Sequence, residues 1–144
     1  MDMSSRKIDP AKQEQGAWVE GIPEWGDLRL KVRGIGNSDF RRLQAKLFES
    51  VPRQKRVRGD IDPAEMDRIT STCLLNAILI DWANLQENGN VVPFSKETAK
   101  RYLFDPEYAE FRAAVSWAAS VVSEQGATST EDALGNSSSA SAGA

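Results

Sequence analysis

Leu28, Leu30 and Val32 alternate with Arg29, Lys31 and Arg33. An apolar–polar period of two predicts a strand with one dry face and one wet face. Just upstream, Ala17-Trp18-Val19 is placed to pair with it across a turn spanning Pro23 to Gly26. A lone hairpin is marginal in water, so this one must lie against an apolar layer. Gly34-Ile35-Gly36-Asn37 ends the alternation, and the period then lengthens. Phe40, Leu43, Leu47, Phe48 and Val51 recur at helical spacing. Ser38 is the predicted cap of this helix, Asp39 lies in its first turn, and Pro52 stops it.

Asp62-Pro63-Ala64-Glu65 predicts the next helix start. Asp62 is the cap, Pro63 takes the first helical position, and Glu65 can reach back as in a capping box. The helix is predicted to run to about Gln86. Met66, Ile69 and Cys73 mark one face of its first half. Its second half, Leu74 to Trp82, is apolar nearly all round, the pattern of a helix buried on several sides. Asn88-Gly89-Asn90 makes a turn, and Val91-Val92-Pro93-Phe94 crosses in extended form. Ser95 caps a short helix bearing Ala99, Tyr102 and Leu103. Asp105-Pro106-Glu107 opens the final helix, with Tyr108, Phe111, Val115, Ala118 and Val122 at spacings of three and four. The chain contains no internal repeat.

These patterns predict a mainly α protein, about four helices around a central buried helix, with a short N-terminal β-hairpin. Residues 16–124 form the expected single helical domain. Residues 1–15 read as a flexible polar tail, and residues 125–144, rich in Ser, Ala and Gly, as a disordered one. A chain of 144 residues builds one modest core and has no room for a cleft between two domains.

Composition narrows the chemistry. There is no histidine, which removes the commonest general base and metal ligand. The single cysteine, Cys73, excludes an intrachain disulfide and a cysteine-cluster zinc site. Its apolar context predicts a small buried hydrophobe. Neither a signal peptide nor a membrane span is expected, since the longest apolar run is interrupted by Asn76 and Asp81. The net charge of −3 hides a division. Residues 29–58 hold ten basic and two acidic side chains, for +8; residues 1–28 sum to −3 and residues 59–144 to −8. A basic middle between acidic flanks predicts internal charge matching or a face for an acidic partner.

Each candidate motif has a plain reading. Gly34-x-Gly36 lacks the third glycine and the Lys-Ser/Thr of a phosphate loop, which leaves a turn with two permissive residues. Asp60, Asp62, Glu65 and Asp67 cluster at a helix start, where the dipole favours negative charge, without the spacing of a calcium loop. The basic loop with Arg53, Lys55, Arg56 and Arg58 is a solvated face or a dock for an acidic protein; an acidic isoelectric point argues against nucleic acid. Seven aromatics lie between Trp82 and Trp117. Most belong in a core by their spacing, while Phe104 and Trp117 are the candidate surface anchors for a partner.

The run from Trp82 to Trp117 resembles the tail assembly chaperones of long-tailed bacteriophages. The resemblance rests on Asp81-Trp82, Asn88-Gly89, Val92-Pro93-Phe94-Ser95 and Asp105-Pro106-Glu107. The opening strand-then-helix piece, Leu30 to Asn37 followed by Asp39-Phe40-Arg41-Arg42-Leu43, is similar too. The likeness covers roughly residues 17–122. It implies a non-enzymatic factor of the host cytoplasm, free of cofactors and metals and absent from the finished particle. Its partners would be the tail tube protein and the tape measure protein. Two other readings stay open: a minor structural protein of the virion, such as a head–tail joining protein, and a small nucleic-acid-binding regulator resting on the basic stretch alone. An enzyme is not expected, because no pair of polar side chains stands apart from surface and capping roles.

Overall fold

The computed structural model describes residues 2–125. The alternation of Leu28, Leu30 and Val32 becomes a strand, and the sheet built on it organises the rest. After a 3-10 turn at Met3–Arg6, α1 (Pro10–Gln15) leads through Gly16 into β1 (Ala17–Val19). β1 pairs antiparallel with β2 (Arg29–Val32), with Trp18 opposite Lys31 and Val19 opposite Leu30. α2 (Ser38–Glu49), the short ribbon of β3 (Arg56–Val57) and β4 (Asp60–Ile61), and α3 (Pro63–Ala77) follow. The chain then enters β5 (Leu79–Ala83), a second ribbon of β6 (Gln86–Glu87) and β7 (Asn90–Val91), α4 (Lys96–Phe104) and α5 (Ala109–Gln125).

The mainly α expectation is overturned. Among the described residues there are five α-helices and three small antiparallel sheets, so the fold is mixed α/β. The predicted central helix from Asp62 to Gln86 stops at Ala77, and its second half is a strand. β5 pairs with β2 to give a three-stranded sheet of order β1-β2-β5, with Leu30 opposite Trp82 and Lys31 opposite Asp81. The physical reason lies in the run Leu74 to Ala83. A short stretch that is apolar on all sides fits a buried strand as well as a buried helix, and periodicity alone does not separate them. β2 decides it by offering a ladder of backbone partners, continued by Arg33 N–H donating to Ile78 O at 2.9 Å.

The core lies between the inner face of this sheet and the helices. Leu28, Leu30, Val32 and Val19 are fully buried from the sheet side. Ile69, Cys73 and Leu74 of α3, Ala99 and Leu103 of α4, and Val115, Ala118 and Ala119 of α5 meet them. The alanines on α5 let its backbone settle close to β1 and β2. Trp82 centres the aromatic part. Its indole N–H donates to Val92 O at 2.8 Å, and its ring lies 4.8 Å from Phe94 and 5.7 Å from Phe111, edge to face.

Helix starts follow the sequence closely, with two shifts: the α2 cap moves by one residue, and the start expected at Asp105-Pro106-Glu107 is a 3-10 turn, Pro106–Tyr108, after which α5 begins at Ala109. Asp62 caps α3 with Pro63 at its first position, and Ser95 caps α4 by accepting from Thr98 N at 3.0 Å. Glu65 does not reach back; its carboxylate pairs with Arg68. The cap of α2 is Asn37, which accepts from Phe40 N at 2.8 Å, rather than Ser38. Asn88 and Gly89, both at positive φ, form the tight turn between β6 and β7.

Residues 10–15 of the polar N-terminal segment form α1, and α1 is bonded to the body. Gln13 O accepts from Gly34 N at 3.0 Å, Glu14 O accepts from the Arg33 guanidinium at 2.6 Å, and the Glu14 carboxylate accepts from Ser38 N at 3.0 Å. The disorder expected over 125–144 concerns residues that, beyond Gln125, lie outside those described.

Candidate functional site

The sequence places its chemistry in three regions, and the fold keeps them apart. The first is the C-terminal helical pair. From Trp82 to Trp117, Tyr102 and Phe111 are buried, Phe94 and Tyr108 half-buried, and Trp82 closes the core. Phe104 and Trp117 are left out, at 37% and 39% exposure. Phe104 ends α4 beside an open surface formed by Glu97, Lys100, Arg101 and Asp105. Trp117 lies on α5 beside a groove of about 320 Å³. The far wall of that groove is the loop between β1 and β2, through Ile22, Pro23, Glu24 and Trp25.

That loop is two consecutive tight turns. Trp25 N donates to Ile22 O and Leu28 N to Trp25 O, each at 3.1 Å. Pro23 and Glu24 are the central residues of the first. Glu24 carries φ 73°, the position in a type II turn where glycine is the rule. Gly26, at φ 57°, is the first central residue of the second turn, where glycine takes a positive φ without strain. Glu24 and Glu110 give the groove an acidic rim. Sequence reasoning missed Glu24. The signal was Pro-Glu where a turn of this kind asks for Pro-Gly.

The second region is the basic stretch. Several of its cations are consumed internally. Arg29 stacks 4.7 Å over the Trp18 ring and pairs with Glu20 at 3.2 Å. Arg33 and Arg42 share Asp39, at 2.8 and 2.5 Å, which holds the Asp39 carboxyl below its ordinary range, Arg33 most of all. Arg56 donates to Phe48 O at 2.5 Å and fixes the β3–β4 ribbon to the end of α2. Among the described residues no acidic side chain pairs with Arg41, Lys46, Arg53, Lys55 or Arg58. The fold therefore splits the four candidate cations: Arg56 is structural, while Arg53, Lys55 and Arg58 remain exposed around the ribbon. Val57, at 61% exposure, lies among them.

The third region is the acidic cluster around the start of α3, where Asp62 alone of the four carboxylates acts as a cap. Asp62 caps α3, Glu65 pairs with Arg68, and Asp67 meets Arg112 at 3.4 Å. Among the described residues no three acidic, cysteine or histidine side chains come together as a metal site. Gly34 and Gly36 serve close approach. A Cβ on Gly34 would lie 2.7 Å from Ser123 Oγ and 2.8 Å from Gln13 Cγ; one on Gly36 would lie 2.7 Å from Gln13 Oε1. Cys73 is buried in the core, and burial pushes its thiol pKa up, away from reactivity.

One titratable cluster was not visible in the sequence. Glu87, on the β6–β7 ribbon, accepts from the Tyr102 and Tyr108 hydroxyls, each at 2.7 Å, and from Arg101 at 3.1 Å. These donors, Tyr108 foremost, hold its carboxyl down to about 2. Burial, then Glu87, pushes the Tyr102 hydroxyl up to about 12. With both oxygens occupied and so low a pKa, Glu87 is a poor proton acceptor for chemistry and a good fastener for the ribbon. No helix among the described residues is long and apolar enough to cross a membrane.

These features define a small mixed α/β body whose outward chemistry is one apolar groove with an acidic rim and one ribbon of unpaired cations. Residues 35–136 match the family model described as YdaY prophage protein. The match spans more than half of the chain, and the chain belongs to that family. It is a phage-related protein; the match does not of itself make it a tail assembly chaperone. No curated protein and no solved structure matches it.

Proposed function

We propose that this protein is a non-enzymatic assembly factor of a long-tailed phage, a tail assembly chaperone that binds the tail tube and tape measure proteins in the host cytoplasm and is left out of the particle. The observation that carries the reading is the exposure of Phe104 and Trp117 on two helices whose other aromatics are buried or half-buried. An exposed aromatic ring on a rigid helix loses little conformational freedom when it docks, which is why such residues dominate protein interfaces. The phage-related family and the resemblance of residues 17–122 to tail assembly chaperones supply the clients. The unpaired cations Arg53, Lys55 and Arg58 add a long-range, salt-sensitive attraction for an acidic client.

Co-expression with the tail tube and tape measure proteins of the same genome tests this reading. One of the two is expected to co-purify with the chain at low salt, and Phe104→Ser with Trp117→Ser is expected to lose it while the fold persists by circular dichroism. Failure of both clients to co-purify overturns the reading. Stoichiometric presence of the chain in purified particles replaces it with a structural virion role.

A further inference from the structure

Among the described residues, four other than glycine hold a positive φ: Glu24, Arg58, Asn84 and Asn88. Asparagine tolerates this region; glutamate and arginine do not favour it, and holding them there stores strain. The two anomalous residues carry opposite charges, lie exposed at the tips of tight turns, and each stands beside an exposed apolar side chain. Glu24, at φ 73°, shares its groove with Trp117. Arg58, at φ 52°, follows Val57 at the tip of the β3–β4 ribbon, where Gly59 at φ 86° completes a turn that ordinarily carries Asn-Gly. One tip offers an apolar anchor with a cation; the groove offers an apolar wall with two carboxylates.

We propose that this chain self-associates head to tail, the Val57–Arg58 tip of one copy entering the Trp117 groove of the next and pairing with Glu24. The occupant follows from complementarity. Val57 meets the Trp117 ring and the Pro23 face, while Arg58 meets Glu24 with Glu110 close by. Neither Arg58 nor Glu24 has an ion-pair partner among the described residues of its own chain. Groove and tip share no residue, so the contact is heterologous: each copy uses both surfaces and the assembly grows as a chain or closes as a ring. The contact goes beyond the chaperone reading and needs no client, so the failure of one leaves the other standing. A client that takes Trp117 would compete with it.

Sedimentation velocity of the full chain over a dilution series tests the proposal. The wild type is expected to associate with rising concentration at low salt and to dissociate at high salt, where screening removes the pair. Glu24→Arg and Arg58→Glu are each expected to raise the concentration of half-association at least about tenfold. An equimolar mixture of the two is expected to restore association, since every tip then faces an opposite charge. Glu24→Asn and Arg58→Asn guard against misfolding: asparagine suits the backbone, so association falls while the thermal midpoint stays level or rises. A wild type that stays monomeric throughout overturns the proposal. So does an associating wild type whose charge-reversed variants still associate, or whose mixed variants remain apart.

Discussion

The side-chain amide of Asn37 donates to the backbone carbonyl of Ala77 at 2.9 Å, joining the start of α2 to the last turn of α3. The same nitrogen donates to Gly34 O at 2.8 Å, and the Oδ1 accepts from Phe40 N at 2.8 Å. Asn37 is fully buried, so every one of these bonds is made away from water. Ala77 is where helix gives way to strand, and Asn37 satisfies a carbonyl that the continuing helix would have used.

Replacing Asn37 with alanine is therefore expected to destabilise the fold by about 2–4 kcal/mol, the lost cap and the orphaned Ala77 carbonyl acting together, while Gly34 O keeps the backbone N–H of residue 37. Asn37→Asp keeps the cap, loses both donors and sets a charge against two carbonyls, so at neutral pH it should cost at least as much. Urea midpoints measure both. An alanine variant within about 0.5 kcal/mol of wild type would remove Asn37 from this role.

Glu87 predicts an acid limb. Its folded pKa of about 2 lies below the ordinary glutamate value of 4.5. A depressed carboxyl stabilises the fold above its unfolded pKa, and that contribution is lost as pH falls from about 4.5 to about 2. Thermal midpoints recorded across this window should fall for the wild type and fall less for Glu87→Gln, with Asp2, Asp39 and Glu65 supplying the shared remainder. Parallel curves for the two proteins would show that Glu87 contributes nothing to the limb.

Gly34→Ala should cost about 1–3 kcal/mol by overpacking, because the new methyl meets Ser123 Oγ and the Cγ of Gln13. Gly36→Ala should cost less, since its obstacle is the movable end of Gln13. Thermal unfolding ranks the two. In the Gly34 variant the Gly34 amide, which donates to Gln13 O, should also exchange faster with solvent. Equal costs, or the reverse order, would mean that α1 gives way freely.

Cys73 should resist a thiol reagent in the native protein and react only at the rate of unfolding. It is 1% exposed, and burial raises its pKa. Rapid stoichiometric labelling without loss of structure would place the thiol in a more open environment.

Where local chemistry decides the structure, the sequence could be read directly. Asp62-Pro63 and Ser95 cap the helices they announce, Asn88-Gly89 makes the tight turn, and Trp18 and Val19 pair with the alternating strand. Where distant partners decide, it could not. Leu79 to Ala83 become a strand because β2, far back in the chain, offers a ladder. Asn37 displaces Ser38 as cap because its amide also finds Ala77 O. Of the candidate contact residues, Phe104 and Trp117 lie exposed on the helices, Arg53, Lys55 and Arg58 lie exposed on the ribbon, and Arg56 turns inward to Phe48 O. Glu24 and the Glu87 cluster escaped notice because their meaning comes from a turn geometry and from side chains brought together only by the fold.

Ser123 Oγ accepts from Gly36 N at 3.0 Å and donates to Gln13 Oε1 at 2.7 Å, a contact across 110 positions of sequence. On the ribosome, α1 emerges early and this partner late. Until residue 123 has been made, α1 has its bonds to Arg33, Gly34 and Ser38 but lacks the hydroxyl that bridges Gln13 to the Gly36 amide. Synthesis thus runs almost to the end of the last helix before its first helix can be fully locked, and a nascent chain paused short of that point is a different object from the finished one.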